Sequence, residues 1–212
     1  MFDSLVSFFQ QLYDLPNLIR VGGYVALVAI IFAETGLMFG FFLPGDSLLV
    51  TAGVFAATGL LDIWTLNFLL VPAAIIGDAF GYYFGKKVGR KLYERKNSRF
   101  FKKDHLIAAK AFYEKHGGKT IIIARFLPAV RTFAPIVAGM SGMKYKDFAV
   151  YNVAGAFLWV TGLTLLGYFL GKTIPDIEKN IIFVILGVIL LSFIPAVKEL
   201  YFQQKKKETE PK

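Results

Sequence analysis

Five charged residues stand inside long apolar stretches of the sequence: Glu34, Asp46, Asp78, Arg125 and Arg131. Charged side chains at membrane depth are costly and face a protein interior or a wet cavity, which makes them functional candidates. A buried guanidinium stays charged and binds phosphate or carboxylate groups through two parallel hydrogen bonds. The pattern therefore indicates a buried site in which arginine recognises an anion.

Arg125 and Arg131 are six residues apart, with Pro128 between them. A kinked or unwound turn at the proline would aim both guanidinium groups at one anion, because proline interrupts the helical hydrogen-bond ladder. The alternative is structural, with the two arginines only neutralising nearby acids. Asp78, beside a glycine within a span, fits a structural ion pair as well as a functional role.

Glu34 and Asp46 are candidates for proton carriers. A buried carboxylate takes up a proton more readily than an exposed one, and a neighbouring arginine opposes that uptake. An anionic substrate that occupied the arginine would then favour protonation of the acid. This coupling hypothesis predicts that Glu34→Gln changes transport and its pH dependence.

The composition places these residues in a membrane protein. Of the 212 residues, 56% are hydrophobic and 18% charged, whereas soluble domains are about one quarter charged. Several apolar stretches approach the ~20 residues that a spanning helix needs. The sequence holds no cysteine and only two histidines, both in a basic segment, so we expect no metal site and no cofactor. No serine–histidine–acid set is evident, and we expect a transporter-like protein rather than an enzyme.

The net charge of +9 is concentrated in one segment. Residues 86–119 hold 12 of the 24 basic residues and three acidic ones, which accounts for the whole excess. Basic segments between spans stay in the cytoplasm. We therefore predict that this segment and the C-terminal tail are cytoplasmic, and that their neighbour is a membrane surface rather than a nucleic acid.

Two broken apolar segments predict a pair of re-entrant hairpins. Residues 120–143 contain two prolines and both arginines, and a hairpin that enters and returns here keeps every basic cluster on the cytoplasmic side. Residues 24–58 contain a glutamate and a second break at Pro44-Gly45-Asp46. Matching broken segments are typical of an inverted-repeat carrier with a site near the middle of the membrane.

The predicted fold class is an all-α polytopic membrane protein with a single membrane domain over residues 21–197. An amphipathic N-terminal helix over residues 1–20, ending near Pro16, precedes it. The remaining predicted elements are the first hairpin 24–58, a helix over 64–85, the cytoplasmic basic loop 86–119, the second hairpin 120–143, helices over 148–171 and 181–197, and a basic cytoplasmic tail over 198–212. Glycines at every fourth position predict a packing surface on the helix over 64–85: Gly77, Gly81, Gly85 and Gly89.

The charged positions belong to a series of short motifs. The series comprises Glu34-x-Gly36, Pro44-Gly45-Asp46, Gly77-Asp78-x-x-Gly81-Tyr82-x-x-Gly85-Lys86-x-x-Gly89, Arg125-Phe126-x-Pro128-x-x-Arg131, Ala138-Gly139, Met143, Phe148, Asn152, Gly155 and Trp159. Together the motifs span residues 34–159. In this order they resemble the DedA family, the bacterial branch of the SNARE-associated or VTT-domain membrane proteins.

The resemblance implies lipid translocation in the bacterial cytoplasmic (inner) membrane. Family members are described as flippases or scramblases of undecaprenyl phosphate or phospholipids, with the proton-motive force as the proposed driver. By resemblance, Glu34 and Asp46 are a proton-coupling acidic pair, whereas Arg125 and Arg131 are essential arginines that bind the headgroup. The supporting positions are Asp78, Pro44, Gly45, Pro128 and Asn152.

We therefore expect a proton-coupled flippase for an anionic, phosphate-bearing lipid, with undecaprenyl phosphate as the first candidate. The alternatives are a phosphatidylethanolamine flippase or scramblase, a proton-coupled exporter of a small solute, a structural or assembly factor, and a lipid phosphatase. The expected partners are the lipid, protons and the bilayer, and a homo-oligomer is compatible with the sequence. The lipid, the direction of transport, the role of protons in driving it and the side of the N-terminus stay open.

Overall fold

The computed structural model describes residues 15–37, 43–94, 117–174 and Gly187, and within these ranges the chain is helical without strands. The helices there are α1 (Leu15–Gly36), α2 (Gly45–Ala57), α3 (Ile63–Glu94), α4 (Lys119–Arg125), α5 (Pro128–Met140) and α6 (Tyr145–Thr173). The predicted all-α class is thus confirmed for this part of the chain. Outside the described residues lie the predictions for 1–14, for most of the basic loop, for the helix over 181–197 apart from Gly187, and for the tail.

Three of these helices are long and apolar enough to cross a membrane: α1, Ile63–Val88 within α3, and α6. α1 is interrupted, however, because Gly23 adopts φ 50° and ψ −142°, outside the helical region. The part after the break, residues 24–36, extends about 20 Å at the rise of an α-helix. That length is short of the ~30 Å hydrocarbon core, whereas the lengths of α3 and α6 both exceed it.

The predicted amphipathic N-terminal helix over residues 1–20 lies mostly outside the described residues, which begin at Leu15. Pro16 lies in the first turn of α1, where proline is favoured because the first N–H groups of a helix have no partner within it. Before the break, Leu15 and Ile19 are buried in the core, and the Arg20 guanidinium lies 5.7 Å from the centre of the Phe55 ring. This first part of α1 therefore packs against the C-terminal end of α2.

α3 and α6 cross each other antiparallel. Asn67, early in α3, donates to the Thr164 hydroxyl at 3.2 Å, and Asn152, early in α6, donates to the Ile75 carbonyl at 3.0 Å. Both helices are longer than predicted, since 64–85 is part of Ile63–Glu94 and 148–171 is part of Tyr145–Thr173. Lysine and arginine are good helix formers, so α3 continues into the segment predicted as a loop.

Residues 24–36 and α2 form a helical pair whose outer ends lie at one end of α3. The Tyr24 hydroxyl accepts a hydrogen bond from the Asp62 backbone N–H at 2.8 Å, and α2 ends at Ala57, shortly before Asp62. The inner ends of this pair carry Glu34 and Asp46. We call the outer end the Asp62 face.

α4 and α5 form a second pair at the opposite end of α3. Gly118, just before α4, packs against the Tyr151 ring of α6, and the Met143 carbonyl, just after α5, accepts a hydrogen bond from the Tyr82 hydroxyl of α3. The inner ends of this pair carry the two arginines. We call the outer end the basic face, and its exposed lysines are Lys86, Lys87, Lys119, Lys144 and Lys146. The two pairs supply entering and returning arms, and their re-entry into a bilayer stays a prediction.

Glycines let both pairs pack closely on the long helices. The Ile136 carbonyl of α5 lies against Gly85 of α3, and the Val50 carbonyl of α2 lies against Gly167 of α6 in the same way. A Cβ at either glycine would overlap the neighbouring backbone. Gly77 similarly faces the Thr35 side chain of α1. The predicted packing role is confirmed for Gly77 and Gly85, and the same close approach recurs on α6 at Gly167.

Candidate functional site

Arg131 connects the two helical pairs. It lies in the first turn of α5, and its guanidinium forms ion pairs with Glu34 through Nη2 and with Asp46 through Nη1. Arg131 is 7% exposed and Glu34 is 0% exposed, so the bridge is buried. A planar guanidinium suits this position because its donors diverge in a rigid fork. The basic end of one pair is thus held against the acidic end of the other.

The break before α2 brings its first turn onto Glu34. Pro44 precedes the helix and Gly45 is its first residue. A Cβ at Gly45 would overlap the Glu34 carboxylate, so only glycine permits this approach. The Asp46 side chain, which follows, is 16% exposed. Pro44 and Gly45 therefore shape the site through the backbone, since neither carries a polar side chain.

The two prolines of the second pair have different effects. Pro128 begins α5 after an extended residue, Leu127, whose φ is −112° and ψ is 104°. Pro135 lies inside α5, and the helix continues to Met140. Pro128 therefore marks a break in the backbone, whereas Pro135 does not end the helix. Its effect is local, because it lacks the N–H that would bond the carbonyl of Arg131 four residues earlier.

Arg125 forms a third ion pair of the cluster, and this pair is also buried. It is the last residue of α4, is 3% exposed, and pairs through Nη2 with Asp78 of α3. The same Nη2 atom donates to the Asn152 side-chain oxygen at 2.7 Å. Asn152 in turn donates to the Ile75 carbonyl at 3.0 Å. Asp78 and Asn152 together fix the guanidinium, since each carries an acceptor on a different long helix.

Trp159 contacts both arginines of the cluster. Its ring centre lies 4.8 Å from the Arg131 guanidinium carbon and 5.8 Å from that of Arg125. Its indole N–H donates to Asp46 Oδ1 at 2.9 Å, and the residue is 1% exposed. Stacking of guanidinium on indole is favourable, more so where water is excluded. Trp159 thus contacts three of the five charged residues of the cluster.

The cluster holds three carboxylates and two guanidinium groups, so the ionised acids exceed the arginines by one charge. The buried atoms of the cluster without a hydrogen-bond partner among the described residues are Glu34 Oε2, Arg125 Nη1 and Arg131 Nε. Buried polar atoms without partners are uncommon in folded proteins. Residues 15–37, 43–94 and 117–174 contain no group of three or more aspartate, glutamate, histidine or cysteine side chains that could hold a metal ion. The cluster therefore has hydrogen-bonding capacity left for a proton or a small polar group.

Comparison with known proteins identifies the family. The family model described as the VTT domain matches residues 43–169, which include four of the five charged residues. Protein DedA of Escherichia coli strain K12 is 50% identical over 179 residues, covering 84% of this chain and 81% of its own. The chain belongs to the DedA family of VTT-domain proteins. No solved structure matches it.

Two further relatives of this DedA-family protein carry membrane names. An uncharacterized membrane protein of Mycobacterium leprae is 45% identical over 172 residues, which cover 81% of this chain and 77% of the relative. The inner membrane protein YqjA of Escherichia coli strain K12 is 40% identical over 157 residues, which cover 71% of this chain and 68% of the relative. With the long apolar helices, these relationships establish a membrane protein.

The structure of this DedA-family protein brings all five predicted charged residues together, with Asn152 and Gly45 in contact with them. Their roles in transport stay predictions. Sequence reasoning placed Trp159 only within a motif and gave it no role in the site. A signal existed, because Trp159 follows Asn152 by seven residues, about two helical turns, and so lies on the same face of α6.

Proposed function

We propose that this DedA-family protein translocates a phosphate-bearing lipid across the bacterial cytoplasmic membrane, with undecaprenyl phosphate as the first candidate, and that protons are coupled to the cycle. The observation that supports this is the buried Arg131 fork between Glu34 and Asp46, backed by Arg125. An anionic headgroup crosses hydrocarbon slowly because its charge must leave water. A buried guanidinium pair lowers that barrier, since arginine matches phosphate oxygens in a bidentate geometry.

The ion pairs dictate how such a headgroup binds. Both Nη atoms of Arg131 are occupied by carboxylates, so a phosphate competes with Glu34 and Asp46 for the same donors. A displaced carboxylate that remained buried and ionised would be costly. Protonation of the displaced acid removes that cost. Binding of the anion therefore takes up a proton, which is the proposed coupling.

Cycling between two sets of partners also explains why the cluster is built from ion pairs. A purely structural contact would be served as well by apolar side chains, because a buried ion pair is often no more stable than a packed hydrophobic replacement. Charged groups that exchange partners can instead stabilise two states of one protein. We therefore propose that the protein is a transporter and not a hydrolase. In this proposal, residues 86–119 and the C-terminus lie in the cytoplasm.

The test is binding and translocation of defined lipids by the purified protein in proteoliposomes. The panel contains undecaprenyl phosphate, phosphatidylglycerol, phosphatidylethanolamine and a lipid without phosphate. Arg131→Ala is expected to abolish binding of the phosphate-bearing lipids. Arg20→Ala is the matched control, because Arg20 is an exposed arginine at the Asp62 face. Equal binding by both variants would refute the proposal.

Two further readouts separate the rival functions. Release of inorganic phosphate from the lipid phosphate would indicate a phosphatase, and proton-coupled uptake of a small solute without lipid movement would indicate an exporter. Arg131→Lys addresses a structural role. The lysine ammonium group keeps the charge but lacks the planar fork that reaches both carboxylates. If Arg131 binds phosphate, the lysine variant should lose function; if Arg131 is only part of a structural charge pair, the variant should retain it.

A further inference from the structure

The two longest helices, α3 and α6, border a groove with a volume of about 720 Å³. This volume is within the range of ligand-binding pockets, roughly 300–1,000 Å³. The walls of the groove include Trp64, Phe68 and Pro72 of α3 and Phe157, Thr161 and Leu165 of α6. Trp64 and Phe68 are each 79% exposed, and Phe157 is 57% exposed. The groove is thus continuous with the apolar surface through which these two helices meet the bilayer.

The polar side chains of the groove are engaged or shielded. The Asn67 amide donates to the Thr164 hydroxyl at 3.2 Å, and the Thr65 hydroxyl donates to the Asp62 carboxylate at 2.7 Å. The Thr161 hydroxyl oxygen has no hydrogen-bond partner among the described residues, but it is buried. The groove therefore presents mainly aliphatic and aromatic surface. Such a surface favours an apolar occupant, because a polar one would lose its hydrogen bonds to water.

The length of the groove matches one leaflet of a bilayer. Trp64 and Pro72 are eight residues apart on α3, and Phe157 and Leu165 are eight apart on α6, about 12 Å in each case. Half of the ~30 Å hydrocarbon core is about 15 Å. A lipid chain of one leaflet therefore lies along the groove for most of its length, whereas a spanning helix would extend well beyond it.

Side chains typical of a membrane interface stand at the Asp62 face of the groove. Trp64 lies in the first turn of α3, and tryptophan is enriched where hydrocarbon meets the headgroups. On α6, Leu165, Tyr168 and Lys172 follow one another at spacings of three and four residues, which places them on one side of the helix. The exposed Lys172 ammonium lies 5.6 Å from the centre of the Tyr168 ring. The Asp62 carboxylate at this end is engaged by the first turn of α3. Lys172 is thus a cation suited to the phosphate of a lipid whose chain occupies the groove.

The lining differs from the surfaces that this protein uses for contacts between helices. Helices in membranes pack closely through small residues, and here Gly85 and Gly167 receive the backbones of neighbouring helices. None of the residues that line the groove is glycine or alanine, and the exposed Gly162 of α6 is not among them. Bulky rings keep a rigid helix at a distance, whereas a flexible chain follows the spaces between them.

The groove is separate from the charged cluster. Trp159, which contacts both arginines, follows Phe157 by two residues and precedes Thr161 by two. Two residues correspond to about 200° around a helix axis. The cluster and the groove therefore lie on opposite sides of α6, and each can be altered without direct contact with the other.

We propose that the groove between α3 and α6 binds one acyl chain of a phospholipid from the leaflet at the Asp62 face, with the phosphate beside Lys172. The bound lipid fills the outer seam between the two helices whose lengths exceed the hydrocarbon core. It is a second lipid site, distinct from the headgroup site at Arg125 and Arg131, and it does not depend on the proposed function.

Native mass spectrometry of protein purified from bilayers of phosphatidylethanolamine and phosphatidylglycerol measures the retained lipid. Thr161→Phe places a ring in the groove and is expected to lower the affinity for this lipid by about tenfold or more. Gly162→Phe is the matched control, because it adds the same ring one residue further on, where the space is open. This control is expected to retain lipid as the wild type does. Where Thr161→Phe lowers the yield of folded protein, Phe68→Ala, which removes an exposed wall, replaces it.

The headgroup end is tested with a second pair of variants. Lys172→Gln is expected to weaken retention of both phospholipids, because each carries a phosphate. Arg20→Gln removes an exposed cation of the same face outside the groove and is expected to change retention little. Equal retention by these two variants would remove Lys172 from the site.

A phospholipid with a diazirine on its acyl chain locates the chain in reconstituted protein after illumination. Adducts are expected at Phe157 and Leu165 in preference to Leu158 and Leu166, and to decrease in Thr161→Phe. Leu158 and Leu166 are the controls, since they lie at the same depths of α6, are 53% and 45% exposed, and do not line the groove. Equal labelling of the two sets, or retention of lipid by folded Thr161→Phe at the level of the wild type, would overturn the proposal.

Two protein occupants are distinguished by cysteines introduced into this cysteine-free chain. A disulfide-linked dimer of Phe68→Cys would identify a second copy in the groove. Cross-linking of Phe68→Cys to Val188→Cys within one chain would identify the apolar segment 181–197, which lies outside the described residues. Either result without acyl-chain adducts would also overturn the proposal. Retention of the groove lipid by a protein that translocates none of the tested lipids would instead remove only the proposed function.

Discussion

Neutralising Glu34 tests the competition between carboxylate and phosphate most directly. In Glu34→Gln the side chain keeps its size but loses its charge, and the ionised cluster changes from an excess of one negative charge to balance. Arg131 retains its pair with Asp46, so the variant is expected to fold. We expect it to bind a phosphate-bearing lipid more tightly than the wild type does, because one competitor for Nη2 is weakened.

The size of the effect follows from the bond that the phosphate must replace. A hydrogen bond to a charged group contributes about 1.5–3 kcal/mol, and each 1.4 kcal/mol corresponds to about a factor of ten in affinity. The dissociation constant should therefore fall about ten- to hundredfold. Translocation should slow at the same time, because a tightly bound headgroup leaves slowly and the glutamine side chain cannot carry a proton.

The assay is equilibrium binding of lipid phosphate to protein in nanodiscs at several pH values. The affinity of the wild type for lipid phosphate should rise as the pH falls, because protonation of Glu34 weakens its ion pair with Arg131. Asp46 is the second carboxylate that faces Arg131. The Glu34→Gln variant should lose most of this dependence. A phosphodiester lipid is needed beside the monoester, because the second ionisation of a monoester occurs near pH 6 and changes the ligand itself.

Asp147→Asn, which neutralises an exposed acid, serves as the control and should change affinity little. Weaker or unchanged lipid binding by folded Glu34→Gln would refute the competition. It would then follow that Glu34 and Arg131 form a structural pair. Thermal unfolding measured for each variant distinguishes that result from loss of the fold.

Three further predictions concern the groups around the cluster. Trp159→Phe keeps an aromatic ring beside both guanidinium groups but removes the indole N–H, so we expect the variant to fold and to show a shifted pH profile of lipid binding. Trp159→Leu should lower the affinity for lipid further. Identical pH profiles for the wild type and both variants would contradict a positioning role for Trp159. Gly45→Ala places a methyl group on the Glu34 carboxylate and should destabilise the fold by about 1–3 kcal/mol in chemical unfolding, whereas Gly162→Ala, which has open space around it, should be neutral or stabilising. Asp62→Ala should lower the melting temperature more than Asp62→Asn does, because the Asp62 carboxylate accepts from the Thr65 N–H at 2.7 Å. The Thr65 backbone bond also lowers the pKa of Asp62, so this stabilisation is present above the unfolded-state pKa and should fade as the pH falls through the lower folded-state pKa.

Helical character and its interruptions were predictable because they depend on local chemistry. Pro44-Gly45 and Pro128 mark breaks in the described helices, as expected from residues that cannot continue the hydrogen-bond ladder. Pro135 shows the limit of that reasoning. Its helix persists because α5 packs along α3, where a small glycine accepts the α5 backbone. Tertiary packing there outweighs the local preference.

The ends of the long helices were less predictable. α3 continues past residue 85 because nothing in the following basic sequence stops a helix, although the apolar signal ends. Hydropathy reports where a segment is apolar, whereas a helix ends where its backbone loses partners. The interruption of α1 at Gly23 falls just before residue 24, where the predicted first hairpin begins, and glycine adopts the positive φ of 50° there without a steric penalty.

The sequence by itself determined that charge is buried in an apolar, helical chain, because the type of each residue and its neighbours decide whether it can face lipid. It also determined which residues carry that charge. Only the tertiary structure decided that Arg131 bridges Glu34 and Asp46, that Arg125 pairs with Asp78, and that Trp159 contacts both arginines. Pairing among five charges allows several arrangements, and the one that occurs is selected by where the helix ends meet in space.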